Sequence, residues 1–299
     1  MDYQTTNEPV SLPILENFVR ARQLFGDSAT ITLASIVRKP EDSNTVINGS
    51  SEPADSIKIT SHTSLNLHIF SLPSQKSDSF STLQKCHRRW WKLLLNQPEL
   101  LGIRSKSHSS ENVEQIVEFH SPTMENYPLE TINAWCSQIF DEVEMGESMR
   151  SQVMVRSQRK SVWPSLITSQ IPLETATWFF LMDAFTTRNK TSSVSLHHLL
   201  SPYKVAIIVE EPSSKMDELK ELRQLLVLKL RQVRVSVLST AAAWSFSQCD
   251  ARAVNYLVIL NDTTLSNGIC RLRNRDTSLK EEVHVSDVVP RLKNVLDPQ

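Results

Sequence analysis

The most unusual feature of this 299-residue sequence is how little glycine it contains. Only 5 of the 299 residues are glycine, which is far below the average share of about 7% in proteins. Loops that cradle phosphate groups depend on glycine, because the backbone must approach the ligand closely. The shortage therefore argues against an enzyme that uses a nucleotide.

Familiar catalytic and metal-binding patterns are also missing. The chain contains no GxxxxGK phosphate loop, no GxGxxG, no GxSxG and no HExxH, and no close acid pair suggests a two-metal site. Its four cysteines form no CxxC pair, and no Cys or His cluster has the spacing of zinc ligands. We therefore expect no cofactor, no metal ion, and free thiols in a reducing compartment.

Long apolar runs and an excess of one charge are absent as well. No apolar run approaches the about 20 residues of a membrane span, so we expect no membrane association. The net charge is -1, so any contact with nucleic acid must come from a local patch. The N-terminal residues are acidic, with no arginine before Arg20, which is not typical of a mitochondrial presequence.

The length predicts two domains, and we place their junction near Ser201-Pro202. In residues 1–200, apolar periodicity predicts helices over 12–25, 81–95, 129–143 and 174–185, and strands over 30–37, 65–72, 113–119 and 162–170. Residues 39–64 and 104–112 are polar and predict loops or insertions.

Residues 201–299 alternate short apolar runs with amphipathic segments. The pattern predicts strands over 203–209, 235–238, 254–260, 269–275 and 282–285, and helices over 216–233 and 286–296. This β-α-β order indicates an α/β sheet that is covered on both faces.

A distinctive segment of the second domain covers residues 265–277. An Asn-Gly turn leads into a strand with Arg271, Arg273 and Arg275 at alternate positions, so the three arginines share one face. In one interpretation they form a cationic ladder that binds an acidic partner surface or a phosphate backbone. In the other they lie on a solvated face and are balanced by nearby acidic residues. Gly268 is expected to supply a positive φ in the turn, and it could also let a partner approach the backbone.

A basic helix in the first domain carries a tryptophan pair. Residues 86–92 read CHRRWWK, and clusters of this kind bind nucleic acid through phosphate contacts and stacking. More often such tryptophans belong to the core. We assign Trp91 and the leucines that follow it to the core, and take Arg88, Arg89 and Lys92 as candidates for DNA contact.

The turn and arginine strand, with the preceding strand that begins at Pro202, are similar to the anticodon-binding domain of class II aminoacyl-tRNA synthetases. Three more segments, 86–92, 159–164 and 173–185, extend the resemblance over about residues 65–299. In this combination the chain looks most like the accessory subunits of mitochondrial DNA polymerases.

One departure from the synthetase pattern concerns ATP. A working class II enzyme has a glycine-rich motif whose arginine holds the γ-phosphate. Here Ile171-Pro172-Leu173 contains no glycine, and Thr175, directly after Glu174, stands where the arginine is expected. Threonine cannot replace a bidentate arginine clamp, so the adenylation chemistry is predicted to be lost.

The resemblance implies an α/β protein with two domains. Residues 1–200 would be a degenerate class II synthetase-like domain built on an antiparallel sheet, an α+β part. Residues 201–299 would be an anticodon-binding-like α/β domain with a mixed sheet.

The resemblance also implies a non-catalytic accessory subunit that raises the DNA binding and processivity of a mitochondrial DNA polymerase. Its partners would be one catalytic subunit, contacted through Gly268, Arg271, Arg273 and Arg275, and primer–template DNA held by the complex. The location would be the mitochondrial matrix and nucleoid. Two alternatives stay open, a synthetase paralogue and a tRNA- or RNA-binding module.

Overall fold

The chain forms two compact units. The computed structural model describes residues 10–26, 30–39, 45–47, 57–59, 62–107, 112–120, 127–157, 159–188, 191–210, 215–238 and 245–296. The first unit contains residues 1–93 and 97–179, and the second contains 94–96 and 180–299. The junction predicted near Ser201-Pro202 lies later in the chain than this division, and it stays a prediction.

The first unit is built around an antiparallel sheet. Its elements, in chain order, are α1 (Leu12–Phe25), β1 (Ile31–Lys39), β2 (Thr45–Ile47), β3 (Ile57–Ile59), β4 (His62–Ser71), α2 (Lys76–Leu94), β5 (Leu101–Ser107), β6 (Val113–Phe119), β7 (Tyr127–Trp135), α3 (Glu147–Val153), β8 (Val155–Ser157), β9 (Lys160–Val162), β10 (Ser165–Pro172) and α4 (Leu173–Ala184). The six-stranded sheet has the order β1-β4-β10-β7-β6-β5, and all its neighbouring strands are antiparallel.

Helices cover both faces of this sheet because its central strands are apolar on both sides. On one face α1 packs through Phe18, whose ring stacks on Phe70 of β4 with centroids 4.3 Å apart. On the other face Phe80 and Leu83 of α2 pack against a cluster that includes Ile167 of β10. Because successive side chains of a strand point to opposite faces, the same sheet contributes to two separate cores.

A buried carboxylate fixes α2 on the sheet. Glu130 of β7 has no exposed surface, and it accepts hydrogen bonds from Trp91 Nε1 at 2.7 Å and from Ser169 Oγ at 2.5 Å. Its second contact on α2 is His87 Nδ1. Because α2 reaches the carboxylate from two successive turns, the rotation of the helix about its axis is set.

Two predictions for the first unit are wrong. Residues 129–143 are not a helix: β7 extends to Trp135, and a 3₁₀ turn follows at Ser137–Phe140. Leu129, Ile132 and Phe140 have helical spacing, but pairing with β6 and β10 places the segment inside the sheet. Residues 104–107, predicted as loop, belong to β5 and are polar because β5 is an edge strand.

The predicted loop over residues 39–64 is only partly described. Strands β2 and β3 form a short antiparallel hairpin there, and β4 begins at His62. The rest of the predicted loop lies outside the described residues.

The second unit contains a five-stranded mixed sheet. Its elements are β11 (Phe185–Arg188), β12 (Thr191–Val194), β13 (Val205–Val209), α5 (Met216–Gln232), β14 (Val237–Leu238), α6 (Phe246–Asp250), β15 (Tyr256–Leu260), α7 (Asp262–Asn267), β16 (Ile269–Asn274), β17 (Lys280–His284) and α8 (Val285–Leu296). The order is β14-β13-β15-β16-β17. The first three strands are parallel, and β16 and β17 are antiparallel to their neighbours.

Helices lie on both faces of this sheet too. Leu219, Leu226 and Leu230 of α5 share one core with Leu292 of α8, and Cys249 of α6 belongs to a second core on the opposite face. The predicted fold class, an antiparallel-sheet α+β unit followed by an α/β unit with a mixed sheet, is confirmed. No helix in the described ranges is both long and apolar enough to cross a bilayer.

The Glu130 contacts give the first testable prediction. Glu130→Ala leaves the Trp91 N–H and the Ser169 hydroxyl buried without an acceptor, so we expect the first unit to lose about 3 kcal/mol of stability. Urea unfolding followed by tryptophan fluorescence measures this loss. The matched control Glu99→Ala removes an exposed carboxylate and should change stability by less than about 0.5 kcal/mol. Equal stability of the two variants would contradict the role given to Glu130.

Candidate functional site

The three arginines of the predicted ladder belong to β16 and the turn that follows it. Arg271 forms an ion pair with the carboxylate of Glu210, which also accepts a hydrogen bond from Asn261 Nδ2 at 3.3 Å. Glu210 follows β13 and Asn261 follows β15, so this group lies at the carboxyl ends of two parallel strands. Both charged side chains of the pair are about half-exposed.

Arg273 is buried, with 8% of its surface exposed. Its guanidinium donates two parallel hydrogen bonds to the Asp250 carboxylate, at 2.8 and 2.9 Å. The same guanidinium lies 5.4 Å from the ring centroid of Phe246. Because Phe246 and Asp250 are the two ends of α6, Arg273 holds that short helix on the sheet.

Arg275 is buried as well. It donates to the backbone oxygens of Ala253 at 2.8 Å and Leu196 at 2.7 Å, and to the Asp276 carboxylate at 2.8 Å. Asp276 also accepts from Ser195 Oγ at 3.0 Å. Arg275 and Asp276 therefore hold Leu196 and Ser195, which belong to the segment that leads into β13.

The predicted alternation is confirmed, but the exposed ladder is wrong. Cys270 and Leu272 are buried on the opposite face from the arginines. The guanidinium groups, however, bind acidic and carbonyl groups of this same unit, because α6 covers the face that the prediction left open to a partner. Binding of a partner by Arg271, Arg273 and Arg275 stays a prediction. The partner acids Asp250 and Glu210, which precede their arginines by 23 and 61 residues, could not be located by a local pattern.

Gly268 ends helix α7. Its φ is +74°, in the left-handed region, and its N–H donates to the Thr264 oxygen at 2.9 Å. The predicted positive φ is confirmed, although the residue closes a helix rather than a hairpin. A Cβ here would overlap the ring of His284, so the space beside Gly268 is already filled by a side chain of β17.

The basic residues of α2 form a stripe on the outside of the helix. Arg88, Arg89 and Lys92 are exposed, and Lys85 precedes them at the spacing of one helix turn. None of these four side chains has an ion-pair partner among the residues that the structure describes. Whether Arg88, Arg89 and Lys92 touch DNA stays a prediction.

The tryptophan pair of α2 is split between core and surface. Trp91 is 1% exposed, and Leu94 and Leu95 are buried with it, as predicted. Trp90 is 43% exposed, and its ring meets that of Trp91 edge to face with centroids 4.8 Å apart. The prediction for Trp91 is confirmed, whereas the sequence pattern left the position of Trp90 open.

The connection from β10 to α4 is where the synthetase pattern would hold ATP. Both carboxylate oxygens of Glu174 accept hydrogen bonds from the backbone N–H of Thr63 on β4, at 2.9 and 2.8 Å. Thr175 is buried. The acidic residue is thus used to join two parts of the fold, and a short buried side chain stands at the predicted arginine position.

Sequence reasoning did not find a polar cavity of about 390 Å³ in the second unit. Burial lowers the pKa of His197, and His198 and Lys204 lower it further. The side-chain oxygen of buried Asn255 has no hydrogen-bond partner within the described part of the chain. The lining residues are Asn96, Ser195, Leu196, His197, His198, Asn255, Tyr256, Asn274, Arg275, Asp276, Val295 and Leu296. They come from separate elements, so no motif signals them.

The cysteines and metal-binding residue types show no reactive grouping in the described ranges. All four cysteines are free, and burial, with a smaller effect of Asp250, raises the pKa of the Cys249 thiol to about 11. No cluster of His, Cys, Asp and Glu within these ranges could hold a metal ion.

Comparison with known proteins agrees with this architecture. Residues 204–295 match the family model of the anticodon binding domain. The chain is 33% identical over 145 residues to the Drosophila melanogaster protein named DNA polymerase subunit gamma-2, mitochondrial. This alignment covers 45% of this chain and 40% of that protein. The protein of the same name from Xenopus laevis is 24% identical over 248 residues, 77% of this chain and 52% of its own length. The predicted resemblance is confirmed.

A synthetase also appears among the similar proteins. Proline--tRNA ligase of Christiangramia forsetii is 30% identical over 103 residues, which are 32% of this chain and 21% of that enzyme. The chain thus spans about half the length, or less, of the curated relatives that it matches.

Arg273 provides a prediction about stability. Arg273→Ala leaves the Asp250 carboxylate unpaired in a largely buried position, so the second unit should lose about 2 to 3 kcal/mol. Arg271→Ala is the matched control, because its half-exposed pair should contribute less than about 1 kcal/mol. Thermal unfolding of both variants measures the difference. Equal losses would show that the Asp250 pair has no special structural role.

Gly268 provides a second prediction for this unit. Gly268→Ala forces a Cβ into the left-handed region and against His284, which should destabilise the second unit by about 2 kcal/mol. Gly268→Asn should cost less, because asparagine tolerates positive φ. Making Gly268→Ala in a His284→Ala background isolates the contact from the backbone strain. No loss in either background would contradict the assigned conformation.

Proposed function

We propose that this protein is a non-catalytic accessory subunit of a mitochondrial DNA polymerase. It would raise the affinity of the catalytic subunit for primer–template DNA and thereby its processivity. The proposal rests on similarity to DNA polymerase subunit gamma-2 of Xenopus laevis over 248 residues. That alignment is longer than either compact unit, so the similarity includes residues of both.

The structural support for a non-catalytic role is the use of Glu174 and Thr175. ATP-dependent activation would need a cation that reaches the γ-phosphate from this position. Instead both carboxylate oxygens of Glu174 accept from the single backbone N–H of Thr63 on β4, and Thr175 is buried with only a hydroxyl to offer. Little phosphate-binding chemistry is left at the β10–α4 connection.

Such a subunit can act without chemistry, through the thermodynamic linkage between its binding to the polymerase and the binding of the polymerase to DNA. If it binds the DNA-bound polymerase more tightly than the free polymerase, it shifts the equilibrium toward the bound form. The effect is expressed mainly as a slower dissociation rate. The second unit would supply the polymerase contact, and α2, through its exposed residues Arg88, Arg89 and Lys92, would face the DNA.

Location and stoichiometry are part of the same proposal. The relatives from Drosophila melanogaster and Xenopus laevis carry the word mitochondrial in their names, which supports a mitochondrial location. Within the mitochondrion, the matrix and nucleoid are part of our proposal. We favour one copy for each catalytic subunit.

A second candidate function is RNA binding as a synthetase paralogue. The family match of residues 204–295 to an anticodon binding domain and the similarity to a proline--tRNA ligase favour it. The arrangement of Glu174 and Thr175 opposes a catalytic version of this candidate. Amino-acid-dependent exchange between ATP and pyrophosphate by the purified chain would establish that version.

The proposed function predicts longer products in primer extension. The purified chain should increase the product length of its cognate catalytic subunit on a singly primed template at moderate salt, because fewer polymerase molecules dissociate between nucleotides. The effect should saturate at equal amounts of the two proteins. Heat-denatured chain is the control for nonspecific stimulation. Unchanged product length with native chain would refute the proposal.

A further inference from the structure

We propose that the second unit binds a small phosphate-bearing anion in a basic cavity at the ends of α5 and α8. The ligand would be inorganic phosphate or the terminal phosphate of a nucleotide, a group that carries about 1.5 to 2 negative charges at pH 7. Lys204, Arg234 and Lys293 would hold its oxygens. None of these residues has a role in the proposed function, so the site does not depend on it.

The cavity has a volume of about 460 Å³ and lies within the second unit. Its three cations come from separate parts of the chain: Lys204 directly precedes β13, Arg234 follows α5, and Lys293 belongs to the last turn of α8. The remaining lining residues are neutral, namely Gln232, Val233, Val235 and Leu296. Within the described part of the chain, no carboxylate therefore lines the cavity, and convergent cations without an acid favour an anion.

Helix dipoles do not account for three cations at this place. The C-termini of α5 and α8 border the cavity, and each contributes roughly half a negative charge. The last turn of α5 already carries Lys229 and Arg231, neither of which lines the cavity. About two positive charges are thus left without compensation from the described residues. This excess matches a dianionic phosphate better than a backbone phosphodiester, which carries one charge.

Lys204 uses two of its three N–H donors within the unit. Its Nζ donates to the backbone oxygens of His198 and Ser201, the latter at 2.7 Å, and an ammonium group has three N–H groups. Burial lowers the pKa of Lys204, and a bound anion would counteract this effect, because a nearby opposite charge favours the protonated amine. The guanidinium groups of Arg271 and Arg273, by comparison, each have a carboxylate partner in this unit.

The backbone of Arg234 points to a use for its side chain. Its φ is +62°, in the left-handed region, and its N–H donates to the Arg231 oxygen at 2.9 Å. The next N–H, that of Val235, donates to the Leu230 oxygen at 3.0 Å, so α5 ends in a Schellman motif. Glycine usually occupies this position, because a Cβ is penalised there. Ligand binding by the guanidinium would explain an arginine at a strained position.

The ligand is tested by isothermal titration of the full chain with inorganic phosphate, pyrophosphate and a deoxynucleoside triphosphate at constant ionic strength. We expect binding, and the order of the three affinities tells whether the free anion or the nucleotide is preferred. Dimethyl phosphate, a singly charged diester, should bind at least about 10-fold more weakly than inorganic phosphate. Equal affinity for the diester, or no binding of any probe with a Kd of about 1 mM or tighter, would overturn the inference.

Arg234→Gly separates binding from folding. Glycine relieves the left-handed backbone, so the variant should unfold at the same temperature or a higher one, while its phosphate affinity should fall by roughly 10-fold. Lys293→Ala should weaken binding by a similar factor. Lys229→Ala is the matched control, because it removes an exposed cation of α5 that does not line the cavity. Its affinity should change by less than about 2-fold.

Three results with these variants would contradict the site. They are unchanged affinity in both Arg234→Gly and Lys293→Ala, an equal loss in Lys229→Ala, and a marked gain in affinity in Asp297→Asn. Asp297 follows the last described residue, and a gain on its removal would mean that a carboxylate of the chain itself already neutralises the cations. If Arg234→Gly proves less stable than the parent chain, Lys293→Ala decides.

Discussion

The buried carboxylate of Glu130 is the contact on which the exposed surface of the first unit depends. It has no access to solvent, and it must therefore be satisfied by hydrogen bonds within the protein. Two of its donors, His87 and Trp91, come from α2. With these residues held inward, Arg88, Arg89 and Lys92 lie on the outer face of the helix. A core constraint thus decides which side chains are available to a partner.

Arginines have opposite fates in the two units. On β16 and in the turn after it, the guanidinium groups of Arg273 and Arg275 are buried and bind groups of their own unit, because an unpaired charge there would be costly. On α2 no acidic residue is close in sequence, and Arg88 and Arg89 stay exposed and unpaired among the described residues. Two segments with similar numbers of basic residues can therefore differ in how many of those side chains are exposed, because the neighbouring elements decide which of them are buried.

The sequence predicted regular elements well wherever local periodicity and packing agree. The helix over residues 12–25 is found with those bounds, the one over 174–185 is found as α4, and the arginine strand alternates as expected. The predicted helix over 129–143 is wrong: its apolar spacing suits a helix, but residues up to Trp135 form a strand that is hydrogen-bonded to β6 and β10. The arginine partners were beyond prediction for a related reason: Asp250 and Glu210 precede their arginines by 23 and 61 residues.

An accessory subunit of the proposed kind changes how long a polymerase stays on DNA without performing chemistry itself. The most direct measurement is the dissociation rate of the catalytic subunit from labelled primer–template after addition of an excess of unlabelled trap DNA, with and without this chain. We predict a clearly slower dissociation in the presence of the chain, at moderate salt and equal protein concentrations. An unchanged dissociation rate, measured under conditions where the two proteins form a complex, would contradict the account.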